Sequence, residues 1–455
     1  MSHVIAAIST PAGAAGLGVV RLSGDGAVAV AAQLFRPIRP DRGLTALGGY
    51  TAAYGHVYDA DGDIDDCVAL VFRAPHSYTG EDVVELSCHG GRYILQRVLR
   101  ACFAVGARPA AAGEFTRRAF LNGKMDLTSA ESVMDLIGAE GQLAARTALA
   151  AREGGIYRRL AAVKDSLLAV AAQFAAYIDY PDEDIPDLEP QALGDTIQNG
   201  IETMENLLAT YDAGRILREG IDTAIVGRPN VGKSTLMNLL SGCERSIVTD
   251  VAGTTRDVVE ETVRLGDVTL RLADTAGIRD TDDVVENVGV TRARARMEQA
   301  ALVLAVFDGS EALTDEDRAL AESLSGRAAI AIINKADKPP MADAAWIAAR
   351  FSHTVVLSAK EEDGVDALTA AVAAVTGIAA LDAAQPVLST ERQRQCAADC
   401  LACLKEAREA LAAGFTPDAV SVSVDGAINA LLELTGERAT EAVVEQVFAR
   451  FCVGK

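Results

Sequence analysis

Aromatic residues make up only 5% of this 455-residue chain, and one of them is tryptophan. Half of the residues are hydrophobic (50%) and alanine is abundant. The cores must therefore be filled with small aliphatic side chains, which suits helix-rich packing. No uninterrupted apolar run reaches the ~18 residues of a membrane span, so no membrane partner is expected. The opening MSHVIAAISTPAG lacks a basic n-region and a full apolar h-region, so no signal peptide is expected and the location is cytoplasmic. The eight cysteines of a cytosolic chain this long do not form a disulfide framework. Positive charge is also scarce. A net charge of −22 disfavours a broad non-specific nucleic-acid surface and leaves room for a local basic patch.

One cysteine spacing, Cys396-x3-Cys400-x2-Cys403, matches a cluster-binding loop. Residues Glu391 to Leu411 carry no Gly or Pro, however, and read as an unbroken helix. Thiolates on such a helix cannot close around a cluster, and they read as small buried hydrophobes.

What is present is a phosphate-binding loop. Ile221 to Val226 is a short apolar strand, and Gly227-Arg228-Pro229-Asn230-Val231-Gly232-Lys233-Ser234-Thr235 then fits G-x-x-x-x-G-K-[ST] before a helix. The glycines let backbone N–H groups turn toward a phosphate. Lys233 supplies positive charge to the β- and γ-phosphates, and Ser234 an oxygen for Mg2+. Three further motifs each follow an apolar strand, at the ligand-binding edge of a parallel sheet. They are Asp274-Thr275-Ala276-Gly277, Asn334-Lys335-Ala336-Asp337 and Ser358-Ala359-Lys360.

Asn-Lys-x-Asp selects guanine, because the Asp337 carboxylate can accept from both the ring N1–H and the exocyclic amine. Adenine would leave that carboxylate unpaired, which disfavours an ATPase. Ser358, Ala359 and Lys360 would support the base, with the Ala359 N–H at the guanine oxygen. Thr249-Asp250-Val251-Ala252-Gly253-Thr254-Thr255-Arg256-Asp257 is the expected first switch, with Thr255 a second Mg2+ ligand and Asp274 in the outer shell. Ile278 stands where signalling GTPases carry a water-orienting glutamine, so another group must orient water.

Around this centre the sequence predicts an α/β plus all-α architecture. Residues 1–121 form an N-terminal α/β domain, 122–215 a first helical part, 216–379 an inserted Ras-like P-loop nucleotide domain, and 380–455 a second helical part. Long Ala/Leu/Glu/Arg runs predict helices over Ala130–Arg152, Leu160–Tyr177 and Gln191–Tyr211, with an acidic, proline-bearing interruption at Tyr180–Asp187.

Several blocks outside the nucleotide motifs resemble the bacterial tRNA-modification GTPases of the MnmE/TrmE family. They are Gly80-Glu81-Asp82-Val83-Val84-Glu85-Leu86 with His89-Gly90-Gly91, Gly113-Glu114-Phe115-Thr116-Arg117-Arg118-Ala119-Phe120-Leu121-Asn122, Asp179-Tyr180-Pro181-Asp182-Glu183, and the closing Cys452-Val453-Gly454-Lys455. The resemblance covers essentially the whole chain. It implies a homodimer joined through N-terminal domains that bind 5-formyl-tetrahydrofolate or a related tetrahydrofolate, with Arg21, Glu85, Lys124 and Lys455 lining the pocket. It implies K+ held by Asn230, Thr249, Val251 and Thr254, an ion that acts as an arginine finger does and orders the first switch so that two nucleotide domains meet. It implies that Glu286 orients the attacking water. It further implies an FAD-binding partner of the MnmG/GidA type, with which the family modifies C5 of the wobble uridine of certain tRNAs. Cys452 is expected to shape the site rather than to react.

Two other readings make different demands. A ribosome-assembly GTPase resembling Era or Der needs a basic RNA-binding module or a second nucleotide domain, and residues 388–455 read as helices without a phosphate loop. A stand-alone folate enzyme regulated by GTP would need no partner.

Overall fold

The computed structural model describes residues 3–179, 190–242, 261–272 and 300–455. By compactness the chain forms two units, Met1–Met134 with Asn429–Lys455, and Asp135–Ile428.

The first unit is built on a seven-stranded sheet of β1 (Ile5–Ile8), β2 (Gly18–Ser23), β3 (Phe35–Pro37), β4 (Thr51–Asp59), β5 (Gly62–Phe72), β6 (Val83–Cys88) and β7 (Arg108–Pro109), in the order β3-β4-β5-β6-β2-β1-β7. Only the short β1–β7 pair is parallel. Alternation along the strands sends Val20, Leu22, Val57, Ala69, Val71, Val84 and Leu86 into one core with α1 (Ala27–Ala32) and α2 (Arg92–Ala104). Ile5 and Ala7 pack instead on Phe115 of α3 (Glu114–Leu121). Leu127, Ala130 and Val133 of α4 (Leu127–Ile137) pack on Val444, Phe448 and Phe451 from the end of the chain.

The second unit opens with α5 (Gln142–Arg152), α6 (Gly155–Asp179), α7 (Pro190–Leu208) and α8 (Tyr211–Glu219). The single helix expected over Ala130–Arg152 is broken between Ile137 and Gln142. Gly138 and Gly141 flank the break, and a residue far along the chain caps the helix that follows. The Asp267 carboxylate accepts from the Leu143 N–H at 3.1 Å and so caps α5. A Cβ on Gly141 would stand 2.9 Å from that carboxylate.

Among the described residues one helical stretch, Gly155–Tyr177, is long and apolar enough to cross a bilayer by length and composition. Its buried positions, Ile156, Leu160, Val163, Leu167, Val170 and Phe174, recur every three or four residues. That is one face of a core helix.

Next comes a six-stranded sheet with its helices in chain order: β8 (Ile221–Val226), α9 (Lys233–Gly242), β9 (Glu261–Leu265), β10 (Val268–Leu272), β11 (Leu302–Asp308), α10 (Asp315–Ser323), β12 (Ala329–Asn334), α11 (Ala344–Ala348), β13 (His353–Val356) and α12 (Val365–Val375). The order is β13-β12-β11-β8-β10-β9, parallel except for β9. Every residue of β11 and β12 is buried, as expected of central parallel strands covered on both faces. Strand order reverses at β8, which puts a crevice beyond its C-terminal end.

The two ends of this segment are stapled together. Leu388 donates its N–H to Thr210 Oγ1 at 3.1 Å, and a Cβ on Gly214 would lie 2.1 Å from Leu388 O. From there α13 (Glu391–Ala412) packs along α7. It runs unbroken through Cys396, Cys400 and Cys403, and burial pushes the Cys400 thiol up to about 12.

Candidate functional site

The loop after β8 shows why two of its positions are glycine. Gly227 has φ 155 and crosses β11 so closely that a Cβ would sit 2.4 Å from Val306 O. Gly232 has φ 97, and its Cβ would fall 2.2 Å from Asn334 Nδ2. Between them Asn230 adopts a left-handed φ of 65, a conformation asparagine tolerates better than most residues.

Lys233 folds back over this loop and donates to Gly227 O and Arg228 O, both at 2.8 Å. Burial holds its ammonium below the ordinary lysine value. A bound phosphate would relieve that desolvation by pairing the charge. Ser234 and Thr235 are exposed at the first turn of α9, beside the positive end of its dipole.

The two base-side motifs lock onto the same loop. Buried Asn334 donates Nδ2–H to Val231 O at 2.9 Å and accepts from the Ala359 N–H at 3.0 Å. Lys335, at φ 66, donates to Asn230 O at 2.8 Å and to Asp308 Oδ2 at 2.6 Å. Burial acts to raise the pKa of Asp308, but hydrogen bonds from Lys335 and Ser310 outweigh it and hold the carboxyl below the usual range. Ser358 donates to the exposed carboxylate of Asp337 at 2.6 Å, and this bond lowers the Asp337 pKa. Lys360 pairs with Glu361 at the rim.

The structure thus brings Asn230, Val231, Gly232, Lys233, Asn334, Lys335, Asp337, Ser358 and Ala359 into one connected network. Thr249 through Thr255, Asp274 through Gly277 and Glu286 lie outside the described residues. Asp308 was missed from the sequence. Its place at the C-terminal end of a buried parallel strand was the available signal.

A second cluster forms in the first unit. Arg21 and Glu85 face each other across β2 and β6, and Arg21 Nε donates to Glu85 Oε1 at 2.8 Å. The Arg21 guanidinium lies 5.6 Å from the Phe115 ring centroid and 6.0 Å from that of Tyr78. The segment Phe451–Lys455 closes over it. Ser9 Oγ and Arg21 Nη1 donate to Gly454 O at 3.1 and 3.4 Å, and the Phe115 N–H donates to Lys455 O at 3.2 Å. Val453 bridges Ala112, and Cys452 is exposed. Lys124 borders the adjacent turn, donating to Pro75 O at 3.0 Å beneath Gly80. Of the four residues named from the resemblance, Arg21, Glu85 and the backbone of Lys455 meet here, and Lys124 lies against Pro75 and Gly80. Ser9, Tyr78, Phe115 and Gly454 were not assigned to this pocket, because their contacts span the chain.

The MnmE helical-domain family model matches residues 127–452, and the model for the N-terminus of the GTP-binding protein TrmE matches residues 4–124. The tRNA modification GTPase MnmE of Chloroflexus aurantiacus is 42% identical over 459 residues, covering 100% of each chain. That of Lactococcus lactis subsp. lactis is 41% identical over 99% of this chain and 98% of its own. Among solved structures, the G domain of the T. maritima FeoB iron transporter aligns at 22% identity with a TM-score of 0.26, covering 34% of this chain and 98% of that one. The chain belongs to the MnmE family of tRNA-modification GTPases: it binds guanine nucleotide and hydrolyses GTP.

Proposed function

We propose that this GTPase works with an FAD-binding partner of the MnmG/GidA type to modify C5 of the wobble uridine (U34) of certain tRNAs, using a one-carbon unit from a tetrahydrofolate. The observation that carries this reading is the Arg21–Glu85 pair closed over by Gly454 and Lys455. A folate presents a carboxylate tail and a hydrogen-bonding pterin. A half-buried guanidinium beside one carboxylate, with Lys124 and Lys455 at hand, fits that pattern of charge and donors. When bound, the folate would supply the methylene carbon. The protein's residues would orient it and exclude water.

The nucleotide site would hold Mg2+ through Ser234 and Thr255, with Asp274 in the outer shell. It would hold K+ through Asn230, Thr249, Val251 and Thr254. These donors are all oxygens, as hard cations require. Glu286 would orient the attacking water, and hydrolysis would be activated when the nucleotide domains of a homodimer meet.

Nucleoside analysis of tRNA from cells lacking this chain should show loss of the C5-substituted wobble uridine, restored by the wild-type gene. Purified protein given folate and tRNA but no flavoprotein should make none. Product under those conditions would favour a stand-alone folate enzyme instead.

The role of the closing segment has its own test. Gly454 has φ 99, and a Cβ there would stand 2.4 Å from Ile8 O. Gly454→Ala should displace the segment and weaken 5-formyl-tetrahydrofolate binding by about tenfold, roughly one charge-assisted hydrogen bond. Calorimetric titration with the folate reads the effect, and GTP affinity should not change.

A further inference from the structure

A surface at −22 repels a polyanion, so contact with a tRNA backbone falls to local exceptions. One stretch is such an exception. Between Gln142 and Lys164 stand Arg146, Arg152, Arg158, Arg159 and Lys164, with Glu153 as the lone acid. The stretch comprises α5, a turn through Gly154 at φ 79, and the first half of α6.

All four arginines are exposed. Several arginines elsewhere meet acids: Arg97 pairs with Asp59, Arg118 with Glu81 and Glu114, and Arg218 with Asp135. Among the described residues Arg146, Arg152 and Arg159 have no acidic partner. Arg158 donates to the backbone oxygen of Glu153, which leaves its charge unneutralised.

Helix stability does not explain the placement. Arg152 in the last turn of α5 complements that helix dipole. Arg158 and Arg159 lie close behind the N-terminus of α6, where a cation opposes the dipole. An anion at the elbow would be favoured by the guanidinium groups and by the α6 N-terminus together. Guanidinium forks match phosphate oxygens in geometry, which a point charge does not. Leu149 is the one large apolar side chain exposed between Gln142 and Lys164, too little for the apolar centre of a protein–protein interface.

We propose that the α5–α6 elbow docks the phosphate backbone of tRNA. The inference rests on the reading of tRNA as substrate. It predicts binding that is salt-dependent and indifferent to base sequence at this surface.

The test is fluorescence anisotropy of labelled, unfractionated tRNA with the full-length chain between 50 and 200 mM KCl. The triple variant Arg146→Gln/Arg152→Gln/Arg159→Gln should bind about tenfold or more weakly, and its log–log salt slope should be shallower by about two to three, one released phosphate contact per arginine. The corresponding triple lysine variant should keep the wild-type slope. Both should hydrolyse GTP at the wild-type rate without tRNA and melt at the wild-type temperature. Wild-type affinity and slope in the glutamine triple would overturn the proposal. So would an equal loss in the lysine triple with a lowered melting temperature, which marks a structural role. Lost binding of the flavoprotein with tRNA binding intact would overturn it in favour of a protein interface. A wild-type chain that does not bind tRNA would also overturn it, while the wobble-uridine reading is judged separately by nucleoside analysis.

Discussion

Asp337→Asn should lower GTP affinity by about two to four orders of magnitude and raise affinity for xanthosine triphosphate. The carboxylate of Asp337 is exposed at the end of the Asn334–Asp337 loop, and Ser358 fixes it at 2.6 Å. That hydrogen bond holds its pKa below the ordinary range, so the acceptor stays ionised throughout neutral pH. Guanine offers it two N–H donors, each hydrogen bond to a charged group contributing about 1.5–3 kcal/mol. An asparagine amide turns one acceptor into a donor, which faces the guanine amine but matches the extra carbonyl of xanthine. Displacement of a fluorescent nucleotide measures both affinities. A variant that keeps wild-type GTP affinity would mean that the base is read elsewhere.

The second large effect is ionic. Replacing K+ by Na+ at matched ionic strength should slow GTP hydrolysis by about 10³-fold or more, the lower end of what an arginine finger contributes. Ile278 cannot orient water or carry charge where signalling GTPases use glutamine. A fixed monovalent cation beside the phosphates would supply the missing charge. Asn230 stands on the loop at φ 65, exposed, with its backbone oxygen held by Lys335. Asn230→Gly keeps that left-handed backbone open while removing the amide. It should bring the rate in K+ down to the rate in Na+ and leave GTP affinity within a few-fold. Equal wild-type rates in the two salts, measured by phosphate release, would remove the ion from the mechanism.

The nucleotide loops were legible because their backbone shapes admit few residues. Gly227 and Gly232 answer to close approaches of Val306 and Asn334, and Asn334 and Ser358 stand at the ends of apolar runs that are plain in the sequence. The α/β and helical classes followed from the same periodicities. Gly138 and Gly141 mark the break before α5 in the sequence, but its cap was not legible, because Asp267 lies 124 residues beyond Leu143. Asp308 escaped notice because one acid after an apolar strand carries no motif of its own. Lys455 entered only through family resemblance. Its neighbour Gly454 takes its meaning from Ile8, Ser9 and Arg21, and no local pattern announces such a contact.

That last contact also has a consequence for synthesis. Ser9 and Gly454 are joined across 445 positions of chain. Ribosomes deliver N-terminal segments first, and β1, β2 and β6 can pair long before residue 454 emerges. The cluster around Arg21 and Glu85 is therefore finished only when translation reaches Gly454. A nonsense codon a few triplets upstream would release a chain able to form both sheets but with Ser9, Arg21 and Phe115 left without these partners.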